Sequence, residues 1–434
     1  MKVLIHNARI VSGLEPEHTG WLLTSGADID RMGRGSVPPE VLAEATETVD
    51  AAGRLLLPGA IDVHVHFREP GLTHKASIAS ESRAALAGGV TSWIEMPNTR
   101  PATVSRDLLE AKEEIAARTA AGNYAFMIGA TADNLRELQL TDYSRVAAVK
   151  VFMGSSTGNM LLDGDDPLRA VFAEQPGRVV VHAEDQGVID RLTARYSPIP
   201  DPENMIWHTR LRPAEACVRA TEHAMELAER YGTRLHVAHV TTAAECALFD
   251  PDGGDPASRR ITAEVSPHHL IHCSDDYARL GSRIKMNPSV KSAADRDALR
   301  RALADGRLSV IATDHAPHTL AEKQGDVFTA MSGAPMVQFS LPAMLDMFGP
   351  EMAVSRMCKA PARLFGIESR GVLAPGYRAD MVLVEHLDEP YTVTDADVLS
   401  PCGWTPMTGR QLHHRVVRAW VNGGTGPEAL RFRI

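Results

Sequence analysis

The sequence predicts an α/β protein, a (β/α)8 TIM-like barrel with a small β-sandwich domain built from both termini. Between residues 54 and 316, short apolar runs alternate with polar or glycine-rich turns and alanine-rich helical stretches, the strand–helix rhythm of a parallel sheet. Eight runs fit: LLLPGAIDVHVHF, TSWIEMPN, NYAFMIGAT, VAAVKVFM, RVVVHAED, RLHVAHVT, RITAEVSPHH and LSVIATDHAPH. Nearly all are rich in Val, Ile, Ala or Leu until their last residues, where His, Asp, Asn, Lys or Glu enters. Strands buried on both faces, with chemistry collected at their C-terminal rim, have that composition. A doubly wound open sheet competes, but it would more often carry a phosphate-binding glycine turn after its first strand, and none follows here.

The barrel is assigned to residues 54–365. Residues 1–53 and 366–434 have a different texture, with short β-type stretches such as KVLIHNARIV, ADMVLVE and RVVRAWVNG between glycine, proline and acidic turns, and they are expected to assemble into one composite β domain. Only irregular strands are expected over residues 12–47.

Composition narrows the function. With 44% hydrophobic and 23% charged residues in 434, the chain can bury a sizeable core and shows no bias toward disorder. A formal charge of −10 argues against a nucleic-acid partner, which needs a clustered basic surface, and favours a small-molecule ligand. The cysteines (Cys217, Cys246, Cys273, Cys358, Cys402) are odd in number, far apart and free of CxxC pairs, so a reducing cytoplasm is expected rather than a disulfide framework. MKVLIHNARIVSG holds no uninterrupted apolar signal region, and no segment approaches the ~18 apolar residues of a membrane span.

The chemistry begins at IDVHVH. His64 and His66 are two apart on a predicted strand, so their imidazoles share a face, and Asp62 has the same parity one layer deeper. Two adjacent histidines pack a core poorly but suit a metal at the barrel mouth; a hydrogen-bonded core pair is the competing reading. Three further strand ends shift the balance: His182 ends RVVVHAED, His239 ends LHVAHV and Asp314 ends VIATDH. Four histidines and an aspartate at four strand ends are a donor set for zinc. His236 points away by strand parity and reads as structural.

Lys150, in AAVKVFMGSSTGNM, is costly inside an apolar strand when charged. It is either snorkelling or salt-bridged, or kept neutral by desolvation so that it reacts with CO2 to give a carbamate with two oxygens for two metal ions.

These residues resemble the cyclic amidohydrolases of the amidohydrolase superfamily, and most closely the dihydroorotases. The resemblance runs over nearly the whole chain and is carried by DVHVHFREPGLTHK, GGVTSWIEMPNTRP, KVFMGSSTGNM, EVSPHHL and TDHAPHTLAEK. It implies a site for two divalent metal ions, usually zinc: His64, His66 and Asp314 on one, His182 and His239 on the other, and Lys150 as the bridging carbamate. It also implies reversible closure of N-carbamoyl-L-aspartate to L-dihydroorotate in pyrimidine synthesis, with Asp314 as proton acceptor and donor, and a homo-oligomer, a dimer in the simplest case.

Arg68, Asn98 and His318 lie near the metals by sequence, and an Arg fork with an amide and an imidazole suits a carboxylate. A solvated arginine, a helix-capping asparagine and a supporting histidine are the plainer readings. Asn287 in KMNPSVK is placed at the pyrimidine edge by the resemblance, although SVK stands where the family pattern has PLR, and Phe339 stands where a smaller or polar residue is expected, altering the loop after His318. Glu264, His268 and His269 read as rim structure in a supporting role, and residues 319–335 as a mobile loop over the site. Dihydropyrimidinase or hydantoinase, allantoinase, and a non-catalytic dihydroorotase-like scaffold are the alternatives.

Overall fold

The computed structural model describes residues 1–155, 160–162, 164–251, 254–425 and 432; residues 156–159 of the KVFMGSSTGNM motif lie outside that set. The strands, in chain order, are β1 (Val3–Ile10), β2 (His18–Ser25), β3 (Asp28–Arg34), β4 (Glu47–Asp50), β5 (Leu55–Pro58), β6 (Ala60–Val65), β7 (Val90–Glu95) and β8 (Asn123–Phe126). Then follow β9 (Ile128–Gly129), β10 (Val149–Phe152), β11 (Val179–His182), β12 (Leu235–Val237), β13 (Ile261–Val265), β14 (Val310–Ile311), β15 (Met381–Thr392) and β16 (Gln411–Trp420).

From β6 to β14 the fold is mixed α/β, with parallel pairing between chain neighbours. One array runs β6-β7-β8 and the other β9 through β14. Only Met127 separates β8 from β9, and Ala147 N donates to Phe126 O at 2.9 Å. At the far end Val65 and His315 form a parallel bridge, and His66 N donates to His315 O at 2.8 Å. β-Branched runs such as VKVF and VVVH favour extended backbone and are buried throughout. The intervening helices begin at side-chain caps: Ser77, Ser105, Asp185, Thr242 and Ser292 each accept a first-turn N–H. Each cap is worth about 1 kcal/mol. The main core lies between strands and helices, where Trp93, Tyr124, Phe126, Val151, Val181 and Leu227 pack in one cluster.

The run LLLPGAIDVHVHF is two strands rather than one. β5 pairs with β1 and β15, whereas β6 pairs with β7. The switch falls at Gly59, where a Cβ would stand 2.0 Å from Thr91 Oγ1. Both strands are buried, so no change of polarity marks the junction. β5 thereby joins a seven-stranded sheet of order β16-β15-β5-β1-β2-β3, with β4 on β1, drawn from both ends of the chain.

Residues 12–47 are more regular than expected. β2 and β3 form an antiparallel hairpin turning at Gly26 (φ 61°), followed by the helix Pro39–Glu44. The strand DIDRMGR is mostly half-exposed, and its polar edge hid the alternation that marks a strand. Phe339 is a core residue of the helix Val337–Val354. Among the described residues no helix is long and apolar enough to cross a membrane.

Candidate metal centre

The ends of β6, β10, β11, β12 and β14 bring the predicted donors together. His64, His66 and Asp314 offer ligand atoms that all lie within 4.8 Å of one another. The Asp314 carboxylate is 3.0 Å from His66 Nε2 and 3.4 Å from His64 Nε2. His182 Nδ1 and His239 Nε2 are 3.0 Å apart, and the His64 and His239 rings, with centroids 5.3 Å apart, join the two groups. Lys150, fully buried, lines the same cavity with Nζ free of hydrogen-bond partners among the described residues.

Three of the imidazoles are held from behind. Glu264 accepts from His64 Nδ1, Asn98 Oδ1 accepts from His66 Nδ1 at 2.7 Å, and Glu184 accepts from His182 Nε2 at 2.9 Å. Each bond fixes a tautomer whose other nitrogen presents a lone pair to the cluster, the arrangement that metal-binding histidines need. Burial favours the neutral form of three rings: it pushes His66 down to about 3, lowers His182, and drives His239 well below the usual imidazole range. Burial also lowers Lys150 to about 8, against the pull of Glu264 and Asp314. Convergent neutral nitrogens, one carboxylate and an unpartnered buried amine fit divalent metal ions better than they fit one another.

Two parity readings need correction. Register slips between Asp62 and Val65, so Asp62 does not follow His64 and His66 into the cluster. Its carboxylate accepts instead from Thr313 N, Thr313 Oγ1 and His64 N. His236 does not point away: its Nε2 lies 3.0 Å from the same Glu264 carboxylate that holds His64. Alternation fails because β12 ends at Val237 and His239 has φ 36°. Arg68 (φ 72°) and Asp314 (φ 50°) are also left-handed, each at a cost of order 1 kcal/mol that the surrounding contacts offset.

Arg68 and Asn98 line a cavity of about 450 Å³. Asn287 lines the metal cluster's cavity and another beside Lys285 and Arg212. His318 is fully buried behind Arg68, 3.1 Å from Arg68 Nη2, and its Nδ1 is 3.1 Å from Lys75 Nζ. Burial, then these cations, hold its pKa well below the usual range, so it acts as a neutral brace. His269 braces the rim through Ser266 and the Pro288 carbonyl. The segment 319–335 is tied down by Lys323, whose ammonium donates to the carbonyls of Lys285, Met331 and Gly333.

Sequence reasoning missed Glu184, Lys75 and Glu95. Glu95 is buried against Lys112 and accepts from Phe67 N at 3.1 Å, fixing the peptide between His66 and Arg68. The double variant Glu95→Leu/Lys112→Met, which removes both charges and the acceptor, is expected to raise KM by about tenfold, one hydrogen bond to a charged group. Glu95→Gln/Lys112→Met keeps the acceptor and should stay within about twofold of wild type; equal KM values for the two would remove Glu95 from this positioning role.

The amidohydrolase family model matches residues 55–423. A dihydroorotase from Halobacterium salinarum is 40% identical over 372 residues, 83% of this chain and 84% of that one. An allantoinase from Rubrobacter xylanophilus is 32% identical over 90% of this chain and 88% of its own. Among solved structures, the L-hydantoinase (dihydropyrimidinase) from Arthrobacter aurescens superposes with a TM-score of 0.92 at 26% identity, covering 100% of this chain and 99% of that one.

Proposed function

The chain belongs to the amidohydrolase family and is a metal-dependent cyclic amide hydrolase, and from that premise we propose that it interconverts L-dihydroorotate and N-carbamoyl-L-aspartate in pyrimidine biosynthesis. The observation that carries the substrate is Arg68. The residue is 2% exposed, lines a cavity beside the metal cluster, and has no carboxylate partner among the described residues. Its Nε donates to the Pro317 carbonyl and its Nη2 meets His318, so the fork is fixed before any ligand arrives. A buried unpaired cation is costly, and a substrate carboxylate offsets that cost. Hydantoin, dihydrouracil and allantoin carry no such group.

His64, His66 and Asp314 would hold one ion and His182 and His239 the other, with Lys150 as an N6-carboxylated bridge; nitrogen and oxygen donors of this kind suit zinc. Bound there, the ions lower the pKa of water toward neutrality and polarise the ring carbonyl. Hydrolysis breaks the ring C–N bond, forms a C–O bond from water and delivers a proton to the departing nitrogen. Asp314 takes that proton from the attacking water and passes it to nitrogen. Arg68, Asn98 and Asn287 contact the substrate, and His318 steadies the Arg68 fork. The parallel strands make one closed eight-stranded barrel, supported by the His66–His315 backbone bond. We read the sheet drawn from both termini as a separate β-sandwich domain, joined to the barrel along the chain at Gly59; the switch of partners between β5 and β6 supports this.

Turnover of dihydroorotate, dihydrouracil, hydantoin and allantoin by the native enzyme tests the substrate, and hydrolysis of only the uncarboxylated rings overturns it. Arg68→Met should raise KM for dihydroorotate by about 10- to 100-fold with metal content intact. Loss of metal in that variant would point to a structural role for Arg68 instead.

A further inference from the structure

A second built cavity lies at the opposite ends of the strands that carry the metal cluster. Arg178 and Arg234 directly precede β11 and β12, whose far ends lead to His182 and His239, and their carbonyls accept strand bonds from Val149 N and Val179 N, both at 2.8 Å. Both arginines line a cavity of about 380 Å³ with Arg363, Tyr143, Phe365, Pro176 and Gly177.

Arg178 is the element that requires explanation. It is 8% exposed, and its guanidinium makes one hydrogen bond, from Nη2 to the Leu364 carbonyl at 3.0 Å, while lying 6.0 Å from the Phe365 ring. Buried Nη1 has no partner among the described residues. Neither Arg178 nor Arg234 has a carboxylate partner there, and Arg363, the third, is paired with Asp255. Burial, then the Arg234 charge, lowers Arg178 to about 10. A desolvated guanidinium within electrostatic reach of a second cation is unfavourable unless an anion joins them, and a planar fork with an unpaired N–H suits a tetrahedral oxyanion.

We propose that this arginine-lined cavity, remote from the metal cluster, binds a phosphate-bearing small molecule, its phosphoryl oxygens taking Arg178 Nη1 and the Arg234 guanidinium. The volume falls in the range that holds a metabolite-sized ligand, so the anion need not be free phosphate. Two unpaired guanidiniums favour a dianion over a monocarboxylate.

The test uses the full chain with its metals, titrated calorimetrically with inorganic phosphate, a phosphomonoester or succinate at constant ionic strength in chloride. Wild type should bind phosphate or the phosphomonoester at this cavity; Arg234→Ala should weaken that binding about tenfold and Arg178→Met abolish it, while Arg68→Met retains it. Arg234 is exposed, so its variant serves as the folded control through unchanged dihydroorotate turnover. Phosphate alone binding assigns the free ion, and a tighter phosphomonoester assigns an organic phosphate; either supports the proposal. It is overturned if wild type binds neither phosphate nor the phosphomonoester, or if binding survives both arginine substitutions, disappears in Arg68→Met or occurs with succinate only.

Discussion

Replacing Asp314 with Asn is expected to reduce turnover by about 10³-fold, within the range that a positioned proton-transfer group contributes. The carboxylate stands against both His64 Nε2 and His66 Nε2, so in the proposed mechanism it serves both as a metal donor and as the base for the attacking water. An amide keeps the shape and loses both properties: it cannot take the proton, and one of its two terminal atoms is a donor facing the imidazoles. Steady-state turnover should be measured together with metal content. A variant that keeps its metal yet loses only a few-fold in turnover would show that the proton travels by another route. One that loses metal as well would place Asp314 chiefly as a ligand.

Lys150→Ala should be nearly as damaging, lowering turnover by about 10²-fold or more, the scale expected when part of a metal site is lost. The wild-type amine is wholly buried with no hydrogen-bond partner among the described residues, and burial lowers its pKa to about 8, which favours the neutral, CO2-reactive form. Carbamate formation replaces a costly cation with an anion that belongs among cations, which means the modification and the metals should be acquired together. Alanine leaves a space where the bridging oxygens would lie. Formate, acetate or propionate added to Lys150→Ala is therefore expected to restore part of the activity, formate most readily because the opening is small. Unchanged activity in Lys150→Ala would end the carbamate assignment.

The donors His64, His66, His182, His239, Asp314 and Lys150 were legible because each interrupts or ends a strongly apolar strand, where a polar residue is costly without a purpose. Their supports were not. Glu264 reads as rim support in EVSPHHL but without a partner, and Glu184 as an ordinary acid near a strand end; only cross-strand register puts one behind His64, and only the fold puts the other behind His182. Glu95 is further from view still, since it acts on a backbone N–H that any residue at position 67 would supply. Counting parity failed where the backbone leaves strand geometry, at the slip beyond Asp62 and at the left-handed His239. Arg68 lines the cavity beside the cluster, and His318 is buried against it, 3.1 Å from its Nη2, a contact that strand parity and spacing do not reveal. In the fold, strand–helix alternation was plain from residue 60 onward, and the β5-to-β6 switch was hidden within a single apolar run.

That switch has a mechanical consequence. Pro58 belongs to the terminal sheet and Ala60 to the parallel strands, with Gly59 pressed against Thr91 and its N–H tied to the Asp380 carbonyl at 2.8 Å. There is no slack between them. His64 lies only five residues beyond Gly59, so an enzyme pulled through its first strand is expected to lose turnover at the force at which that sheet opens, which single-molecule pulling with an activity readout would check.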